Sequence, residues 1–356
     1  MSELAVAERV PLAAYTTLEL GGPAEYFVQA SDRATLLDAL QWARARQLPV
    51  HVIGGGSNLV VSDAGLPGLT LRVETRGVRT ERTADGRNAV ALTVEAGEPW
   101  DALVARTIDD DLAGLECLSG IPGFAGATPI QNVGAYGQEV AHCIREVELL
   151  DRESLARVTL PHSACGFGYR TSAFKARPDR FLVLSVTFVL AEHGSPVVRY
   201  PELARAVPAS AGLREVRETV LRLRRAKSMV IDPADPNRRS AGSFFLNPVL
   251  PWERADALAA RAVAAGLIAH ASELPSFAAD GGRKIPAAWL IERAGFSKGT
   301  RAGAVGISSN HALALVHHGG GSSSQLLALA RAIRDRVYAV FDVQLEAEPV
   351  LLGTGL

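Results

Sequence analysis

The sequence predicts an α+β protein of two or three domains, and three observations support that fold class. The chain has 356 residues, more than one hydrophobic core usually serves. Near its start a helical repeat runs directly into a buried strand, and strand patterns then dominate residues 69–190. Near its end a strand, a helix and another strand follow in succession. Such a mixture of alternating and segregated elements is typical of an α+β architecture.

The first helix–strand unit occupies residues 31–56. A helix is predicted because apolar residues repeat at helical spacing behind Ser31-Asp32, a pair that suits an N-cap: Leu36, Leu40 and Ala43. Pro49 is expected to end this helix, and Val50–Ile53 is predicted as a buried strand. The strand runs straight into Gly54-Gly55-Gly56, so a glycine loop follows its carboxyl end.

Strands are predicted through the middle of the chain at Leu69–Val73, Ala89–Glu95, Val147–Leu150 and Phe181–Leu190. Between them lies a second stretch rich in glycine and proline, Ser119–Pro129. Loops this rich in glycine are unusual unless their backbone must come close to another group.

The closing segment is predicted as a β-α-β unit. Ala312–Val316 is the first strand and Gly319–Ser322 the turn. One helix face then carries the apolar residues Leu326, Leu329, Ile333, Val337 and Val340. Phe341–Leu345 is predicted as the next strand.

Composition and charge exclude several classes of function. Hydrophobic residues make up 48% and charged residues 21% of the chain, with 37 basic against 38 acidic residues. A net charge of −1 provides no field for a polyanion, so nucleic acid is not expected as a partner. Three scattered cysteines predict neither a disulfide framework nor a metal site and favour a reducing cytoplasm. Met1–Arg9 does not resemble a signal peptide, and the longest apolar run, 181–191, is too short to cross a bilayer.

The two glycine loops are the strongest functional signal in the residues themselves. In Gly54–Asn58, successive backbone N–H groups can turn toward one point and form a nest for a pyrophosphate; the alternative is a plain glycine turn. The loop matches neither a G-x-G-x-x-G fingerprint nor a Walker loop. The second loop, Gly120–Pro129, runs into Ile130–Gly137, and the combined stretch includes the amides Gln131 and Asn132. Two such loops predict a large ligand clasped between them, against the alternative of two unrelated surface loops.

Four polar residues are candidates for catalytic groups: Arg170, Ser243, Glu346 and Glu348. Arg170 can bind a carboxylate with both arms of its guanidinium, or it can be an ordinary surface arginine. Ser243 lies among apolar residues without a G-x-S-x-G elbow, so a hydrolase triad has no support. Glu346 and Glu348 alternate in an extended segment and can point the same way.

The adjacent His317-His318 would face opposite sides of a strand, so no metal site is predicted.

Ordered motifs along nearly the whole chain, from about Leu18 to about Gly353, resemble the MurB family, UDP-N-acetylmuramate dehydrogenase. They are Thr17-Leu18 with Gly21–Ala24, Gly54–Asn58, Gly114–Gly123, Pro129–Gly137, Phe167–Lys175 and Ala241–Phe245. Two positions depart from the pattern of many relatives. Leu246 stands where they carry lysine, and Ala347 stands where they carry proline.

The resemblance implies a vanillyl-alcohol-oxidase/PCMH-type fold, in which two α+β subdomains hold FAD and an α/β domain binds substrate. With boundaries that the pattern of elements along the chain predicts near 75 and 226, these parts are 1–75 for the first FAD subdomain, 76–225 joined by 341–356 for the second, and 226–340 for the substrate domain. Because Ser57 stands where some relatives of the fold attach FAD through histidine, non-covalent FAD is expected. The residues expected to contact FAD are Ile53, Gly54, Gly55, Gly56, Ser57, Asn58, Leu59, Ser119, Gly120, Ile121, Pro122, Gly123, Gly126, Ala127, Gln131, Asn132, Gly134, Ala135, Tyr136 and Gly137.

The resemblance also implies the reaction: NADPH-dependent reduction of UDP-N-acetylglucosamine enolpyruvate to UDP-N-acetylmuramate during peptidoglycan precursor synthesis. Arg170, Ser243 and Glu348 fall at the positions of the catalytic arginine, proton-donating serine and catalytic acid. Whether Glu348 is protonated stays open. Residues expected to contact the UDP-sugar are Tyr169, Tyr200, Lys227, Asn247 and Glu292. No metal, membrane or obligate protein partner is expected.

Two other functions are compatible with the residues. One is a different flavin oxidoreductase on the same fold, such as an oxidase of sugars or alcohols. The other is a UDP-sugar-binding scaffold without catalysis. Oxygen consumption would indicate the first, and a colourless protein the second.

Overall fold

The structure is a computed structural model that describes residues 4–83 and 88–356. Met1–Glu3, part of the segment compared with a signal peptide, lie outside the described residues. The helices are α1 (Arg33–Ala45), α2 (Trp100–Asp109), α3 (Ala173–Ala176), α4 (Pro201–Ala206), α5 (Leu213–Ala226), α6 (Trp252–Ala264), α7 (Ala287–Arg293) and α8 (Ser323–Phe341).

The strands are β1 (Ala7–Pro11), β2 (Pro23–Ala30), β3 (Val50–Ile53), β4 (Leu59–Val61), β5 (Leu66–Val73), β6 (Val78–Arg82), β7 (Ala89–Glu95), β8 (Leu112–Ala113), β9 (Gly134–Ala135), β10 (Gln138–Glu139), β11 (Ile144–Asp151), β12 (Arg157–Pro161), β13 (Phe181–Glu192), β14 (Ser240–Ser243), β15 (Val249–Leu250), β16 (Phe277–Ala279), β17 (Gly282–Lys284), β18 (Arg301–Ala302), β19 (Val305–Ile307), β20 (Ala314–His317) and β21 (Val350–Leu352). Short 3-10 turns link many of them.

The chain forms two compact units. The first comprises the described residues up to Val10 together with Ala24–Gly56 and Pro67–Ile231. The second comprises Pro11–Pro23, Ser57–Leu66 and Asp232–Leu356. The C-terminal residues 341–356 belong to the second unit. The division into three domains at 75 and 225 stays a prediction.

In the first unit, two sheets share one hydrophobic core. One sheet has the order β1-β2-β5-β3, with β3 parallel to β5. The other has the order β12-β11-β13-β7-β6, and β8 also pairs with β13. Helix α1 packs its buried apolar face into this core, and Trp100 of α2 is fully enclosed there against Phe188. Strand β13 is buried almost continuously because both of its faces are covered.

In the second unit, α8 packs against a four-stranded sheet of order β14-β20-β19-β18. Its buried face includes Leu326, Ile333 and Val337. The helix begins with a capping box between Ser322 and Gln325. Two smaller sheets complete the unit: the order β15-β17-β16, and β21 parallel to β4.

Most of the predicted elements agree with these bounds. Asp32 caps α1 by accepting a hydrogen bond from the Thr35 amide, and α1 ends at Ala45, before Pro49. The predicted strands at 50–53 and 89–95 coincide with β3 and β7. Those at 69–73, 147–150, 181–190 and 312–316 overlap β5, β11, β13 and β20 within a few residues.

The predicted strand at Phe341–Leu345 is wrong. Phe341 is the last residue of α8 and is buried, so it continues the apolar face of the helix. Asp342 then adopts a left-handed conformation with φ of 56°, which ends the helix. The next strand, β21, pairs with β4 and not with the sheet that contains β20.

No helix among the described residues is long and apolar enough to span a membrane.

Candidate active site

The two glycine loops of the sequence analysis meet in the first unit. Gly54–Gly56 follow β3, and a Cβ atom on Gly55 would lie only 2.8 Å from the Cα atom of Gly123 in the second loop. A Cβ atom on Gly54 would contact the Phe124 ring at 3.5 Å. Backbone packs against backbone here, which requires glycine at position 55.

The first loop has backbone amides that fit an anion nest, whereas several amides of the second loop already donate hydrogen bonds to neighbouring parts of the protein. Within residues 4–83 and 88–356, the N–H groups of Gly55 and Gly56 have no hydrogen-bond acceptor, and Gly56 has a φ of 68°. In the second loop, the Gly120 amide donates to Asp101 Oδ1 at 2.6 Å and the Gly126 amide to the Ala96 carbonyl at 2.8 Å. Unsatisfied N–H groups after a strand suit a phosphate.

Arg224 of α5 lies beside the second loop and was not predicted from the sequence. Its Nε atom would be 3.4 Å from a Cβ atom on Gly120. That Nε is buried and has no hydrogen-bond partner in the part of the chain that the structure describes. Burial lowers the pKa of Arg224, although Tyr136 and Asp101 act against this. A buried guanidinium with an unused donor fits an anionic ligand. In the sequence, the basic run around it looks like a solvated helix face.

Gly55→Ala is expected to lower the free energy of unfolding by about 1–3 kcal/mol, the usual effect of inserting a methyl group into a packed contact. The reason is the 2.8 Å approach to Gly123, where backbone and not a flexible side chain must move. Thermal denaturation tests this, with Gly355→Ala as control because a Cβ atom there would meet nothing within 4 Å. Equal melting temperatures for the two variants would contradict the close approach.

Arg170 occupies a tight turn between Gly168 and Thr171. These two residues form an antiparallel bridge, with mutual backbone hydrogen bonds of 3.1 and 3.2 Å. Arg170 has a φ of 52°, in the left-handed region that favours glycine. Its Nη2 donates to the Gly134 carbonyl at 2.6 Å, and its own carbonyl accepts a hydrogen bond from Lys175 Nζ at 3.0 Å. The guanidinium is therefore held on the backbone of the second glycine loop.

Tyr136, Tyr200 and Lys227, predicted as contacts for FAD or the UDP-sugar, form one cluster. The two tyrosine rings meet edge to face with centroids 5.7 Å apart, and Lys227 Nζ lies 5.8 Å from the Tyr136 ring centroid. Lys227 also pairs with Glu202 at 2.6 Å, with both side chains about one-third exposed. Burial raises the pKa of Tyr136 to about 12, so its phenol stays protonated near neutral pH. Tyr169 stacks under the Arg170 guanidinium at 5.6 Å and is itself exposed.

Ser243 is the last residue of β14, in the second unit. A register shift between Ser240 and Ser243 and a left-handed Gly242, with φ of 76°, form a bulge immediately before it. Bulges commonly re-aim a side chain next to a functional site. Ser243 is half-buried and pairs with Ala314 of β20.

A backbone hydrogen bond holds Glu348 beside Phe244, the residue that follows Ser243. Its amide donates to the Phe244 carbonyl at 2.9 Å, and its carbonyl accepts from Asn58 Nδ2 at 3.3 Å. Leu246 and Glu348 make the hydrogen bonds on either side of the bridge between Phe245 and Ala347, so a proline at position 347 would remove no hydrogen bond of this bridge. Glu348 is half-buried, whereas Glu346 is exposed.

Asn247 and Glu292 lie at opposite ends of α7. Asn247 Oδ1 accepts a hydrogen bond from the Ala287 amide at 2.8 Å, so the side chain caps the first turn of that helix. Glu292 is exposed near the helix end. A structural cap was not anticipated for Asn247, because sequence cannot show which helix start a residue forty positions earlier will meet.

Two parts of the chain match known families. Residues 233–352 match the family described as UDP-N-acetylenolpyruvoylglucosamine reductase, C-terminal domain, and residues 24–157 match one described as FAD binding domain. A UDP-N-acetylenolpyruvoylglucosamine reductase of Saccharopolyspora erythraea is 50% identical over 97% of this chain and 95% of its own length. The chain belongs to the MurB family. The corresponding Streptomyces coelicolor reductase is 48% identical over 97% of this chain and 90% of its own length.

The crystal structure of MurB from Thermus caldophilus aligns over 98% of this chain and all of that one, with a TM-score of 0.65 and 26% identity. The predicted family and α+β FAD-binding fold class are thus confirmed. As a member of the MurB family the chain is an oxidoreductase with an FAD-binding domain. This membership identifies an enzyme and not a non-catalytic scaffold, and the names of the relatives favour a reductase over another oxidase on the same fold.

Proposed function

We propose that the chain reduces UDP-N-acetylglucosamine enolpyruvate to UDP-N-acetylmuramate with NADPH, as a step in peptidoglycan precursor synthesis. The observation that carries the proposal is Arg170, whose guanidinium is fixed on the Gly134 carbonyl from a left-handed turn. An arginine held this way can bind the carboxylate of an enolpyruvyl group and stabilise the negative charge that develops beside it. The names of the relatives state the same substrate class.

FAD is proposed to bind without a covalent bond, with its pyrophosphate at the unsatisfied amides of Gly55 and Gly56. The presence of Ser57, where a histidine would be needed for attachment, supports this. When bound, FAD supplies the hydride chemistry, between NADPH and the vinyl methylene carbon of the substrate by way of N5. The other cofactor contacts from the sequence analysis remain part of the proposal, largely through backbone atoms of the second loop.

The proposed roles of the side chains follow from their chemistry. Hydride addition at the methylene carbon leaves negative charge on the neighbouring carbon and its carboxylate, which Arg170 offsets. Ser243 donates the proton to that carbon, which is basic enough to take it from a well-placed hydroxyl. Glu348 is proposed as the second catalytic group at the substrate carboxylate.

The residues expected from the sequence to contact the UDP-sugar are proposed to bind the UDP end of the substrate. Tyr200 and Lys227 are proposed to contact the diphosphate, and Tyr169 is proposed as a further contact to the UDP-sugar. Asn247 and Glu292 are proposed as further contacts; the Nδ2 of Asn247 is the end of the amide that does not cap α7. A cytoplasmic location is proposed because the three cysteines, Cys117, Cys143 and Cys165, are all free.

Lys227→Met is expected to weaken binding of UDP about 10-fold. It removes one charge-assisted hydrogen bond to the diphosphate, and part of that loss is offset because the competing contact with Glu202 also disappears. Calorimetric titration with UDP measures it, with Lys298→Met, an exposed lysine of the second unit, as control. Unchanged affinity in Lys227→Met would remove Lys227 from the diphosphate site.

The direct test of the reaction is product analysis. The purified protein with FAD is incubated with the enolpyruvyl substrate and either NADPH or NADH, and the products are separated and identified by mass spectrometry. UDP-N-acetylmuramate formed faster with NADPH supports the proposal. Absence of that product, with oxygen consumed on simple sugars or alcohols, would contradict it.

A further inference from the structure

Asn132 has a buried side chain whose hydrogen bonds are already used within the protein. It is 1% exposed. Its Nδ2 donates to Glu139 Oε2 at 2.7 Å and to the Gly168 carbonyl at 3.0 Å, while its Oδ1 accepts from the Ala141 amide at 3.1 Å. A primary amide has two N–H donors, and both have acceptors here. The side chain therefore has no donor left for a cofactor, the role expected of it from the sequence.

Asn132 holds the turn of Arg170 from two sides. Its side chain binds the Gly168 carbonyl at the start of the turn, and its own carbonyl accepts a hydrogen bond from Arg170 Nη1 at 3.3 Å. Asn132 also has a positive φ, of 45°. A left-handed residue other than glycine persists only where its surroundings over-determine it, and Arg170 is such a residue. The hydrogen bonds of Asn132 are part of what holds Arg170 there.

Glu139 fixes the orientation of the Asn132 amide. A carboxylate can only accept hydrogen bonds, so the Asn132 atom facing Glu139 must be nitrogen. Glu139 also packs beside Gly134: a Cβ atom on Gly134 would lie 2.8 Å from Glu139 Cγ and 3.1 Å from Arg170 Nη1. Glu139 and the guanidinium thus both lie against the same backbone position.

We propose that Asn132, oriented by Glu139, is a positioning residue that places the Arg170 guanidinium for the carboxylate of the ligand. This rests on the proposed function, in which Arg170 binds that carboxylate. This positioning role predicts that substitutions of Asn132 selectively weaken the binding of ligands that carry the carboxylate. Binding of the nucleotide and the sugar, which Arg170 does not contact in the proposal, stays unchanged.

The test compares two ligands that differ in the lactyl ether group with its carboxylate: UDP-N-acetylmuramate carries this group, and UDP-N-acetylglucosamine has a free hydroxyl in its place. Their dissociation constants are measured by calorimetry on the FAD-loaded protein. The variants are Asn132→Asp, which keeps the shape but removes both N–H donors, and Arg170→Met. In the double variant Asn132→Asp with Glu139→Gln, called the exchange pair, the hydrogen bond between the two side chains is reversed: Gln at position 139 donates it and Asp at position 132 accepts it. Asn310→Asp, an exposed asparagine, controls for the added charge.

We expect the wild type to prefer the carboxylate-bearing ligand and Arg170→Met to lose that preference. Asn132→Asp is expected to reduce the preference about 10-fold, with the exchange pair restoring part of it and the Asn310 control unchanged. The affinities for UDP-N-acetylglucosamine and FAD should stay equal across the set. A merely structural role would weaken these two affinities as well, so an equal loss for both ligands overturns the inference.

Failure of the inference and failure of the proposed function look different. If Arg170→Met loses the preference but Asn132→Asp keeps it, the positioning role of Asn132 is wrong and the role of Arg170 stands. If the wild type has no preference, or Arg170→Met keeps it, the carboxylate contact is itself wrong and the inference falls with it.

Discussion

Ser243→Ala is expected to leave reduction of bound FAD by NADPH intact and to slow reoxidation by the enolpyruvyl substrate about 10²–10⁴-fold, the usual contribution of a positioned proton donor. The hydroxyl lies directly after a β-bulge and is half-buried at the end of β14. Alanine keeps the backbone and Cβ and removes only the hydroxyl group that would donate the proton. Stopped-flow absorbance at the flavin band measures each half-reaction separately.

The control for this variant is Ser297→Ala, which removes a hydroxyl from an exposed residue of the second unit, away from the bulge. It is expected to keep both rates within a few-fold of the wild type. If Ser243→Ala reoxidises as fast as the wild type, Ser243 is not the proton donor. If the reductive half-reaction falls equally, the variant has damaged the fold or FAD binding instead.

Arg170→Lys is expected to lower the rate of substrate reduction about 10²–10³-fold, the range seen when one preorganised group at a developing negative charge is removed. Lysine keeps the positive charge but has no planar fork to bind a carboxylate with two parallel hydrogen bonds. It also cannot reproduce the paired contacts of Arg170 with the carbonyls of Asn132 and Gly134. The rate of the oxidative half-reaction measures the effect.

Arg177→Lys serves as the matched control, because Arg177 is an exposed arginine that stacks on Phe181 a few residues later. That exchange is expected to leave both half-reactions unchanged. A fully active Arg170→Lys would show that charge alone suffices, which would contradict the bidentate role.

The proximity of the two glycine loops was predicted from the sequence, whereas the ligand between them stays a prediction. Two loops far apart in the chain were expected to clasp one ligand, and the structure shows Gly55 against Gly123. That inference was available because glycine at both places indicates close backbone approach. The hydrogen bonds of the second loop could not be predicted from the sequence, because their acceptors, such as Asp101, lie on other elements.

Side chains that work through long-range contacts were missed or assigned differently. Asn132 was expected to contact the cofactor, yet its side-chain amide donates to Glu139 and Gly168 and accepts from the Ala141 amide. Arg224 sits in a basic run whose composition predicts a solvated face, and only packing reveals that its Nε is buried. Sequence gives the residue type and its neighbours along the chain, but not which carbonyl thirty-six positions later a side chain will meet.

The predicted terminal strand failed for a local reason. The sequence from Phe341 to Leu345 alternates apolar and polar residues, as a half-buried strand does. Phe341 also continues the apolar face of α8, and its burial in that face decides the conflict in favour of the helix. The left-handed conformation of Asp342 then ends that helix.

The central claim, that one site passes hydride from NADPH to the enolpyruvyl substrate by way of FAD, is tested most directly by one anaerobic absorbance experiment. NADPH is added to the purified FAD-loaded protein, and UDP-N-acetylglucosamine enolpyruvate is added afterwards. We predict that the flavin band bleaches with NADPH and returns with the second addition. A band that bleaches but does not recover, or a protein that binds no FAD, would contradict the claim.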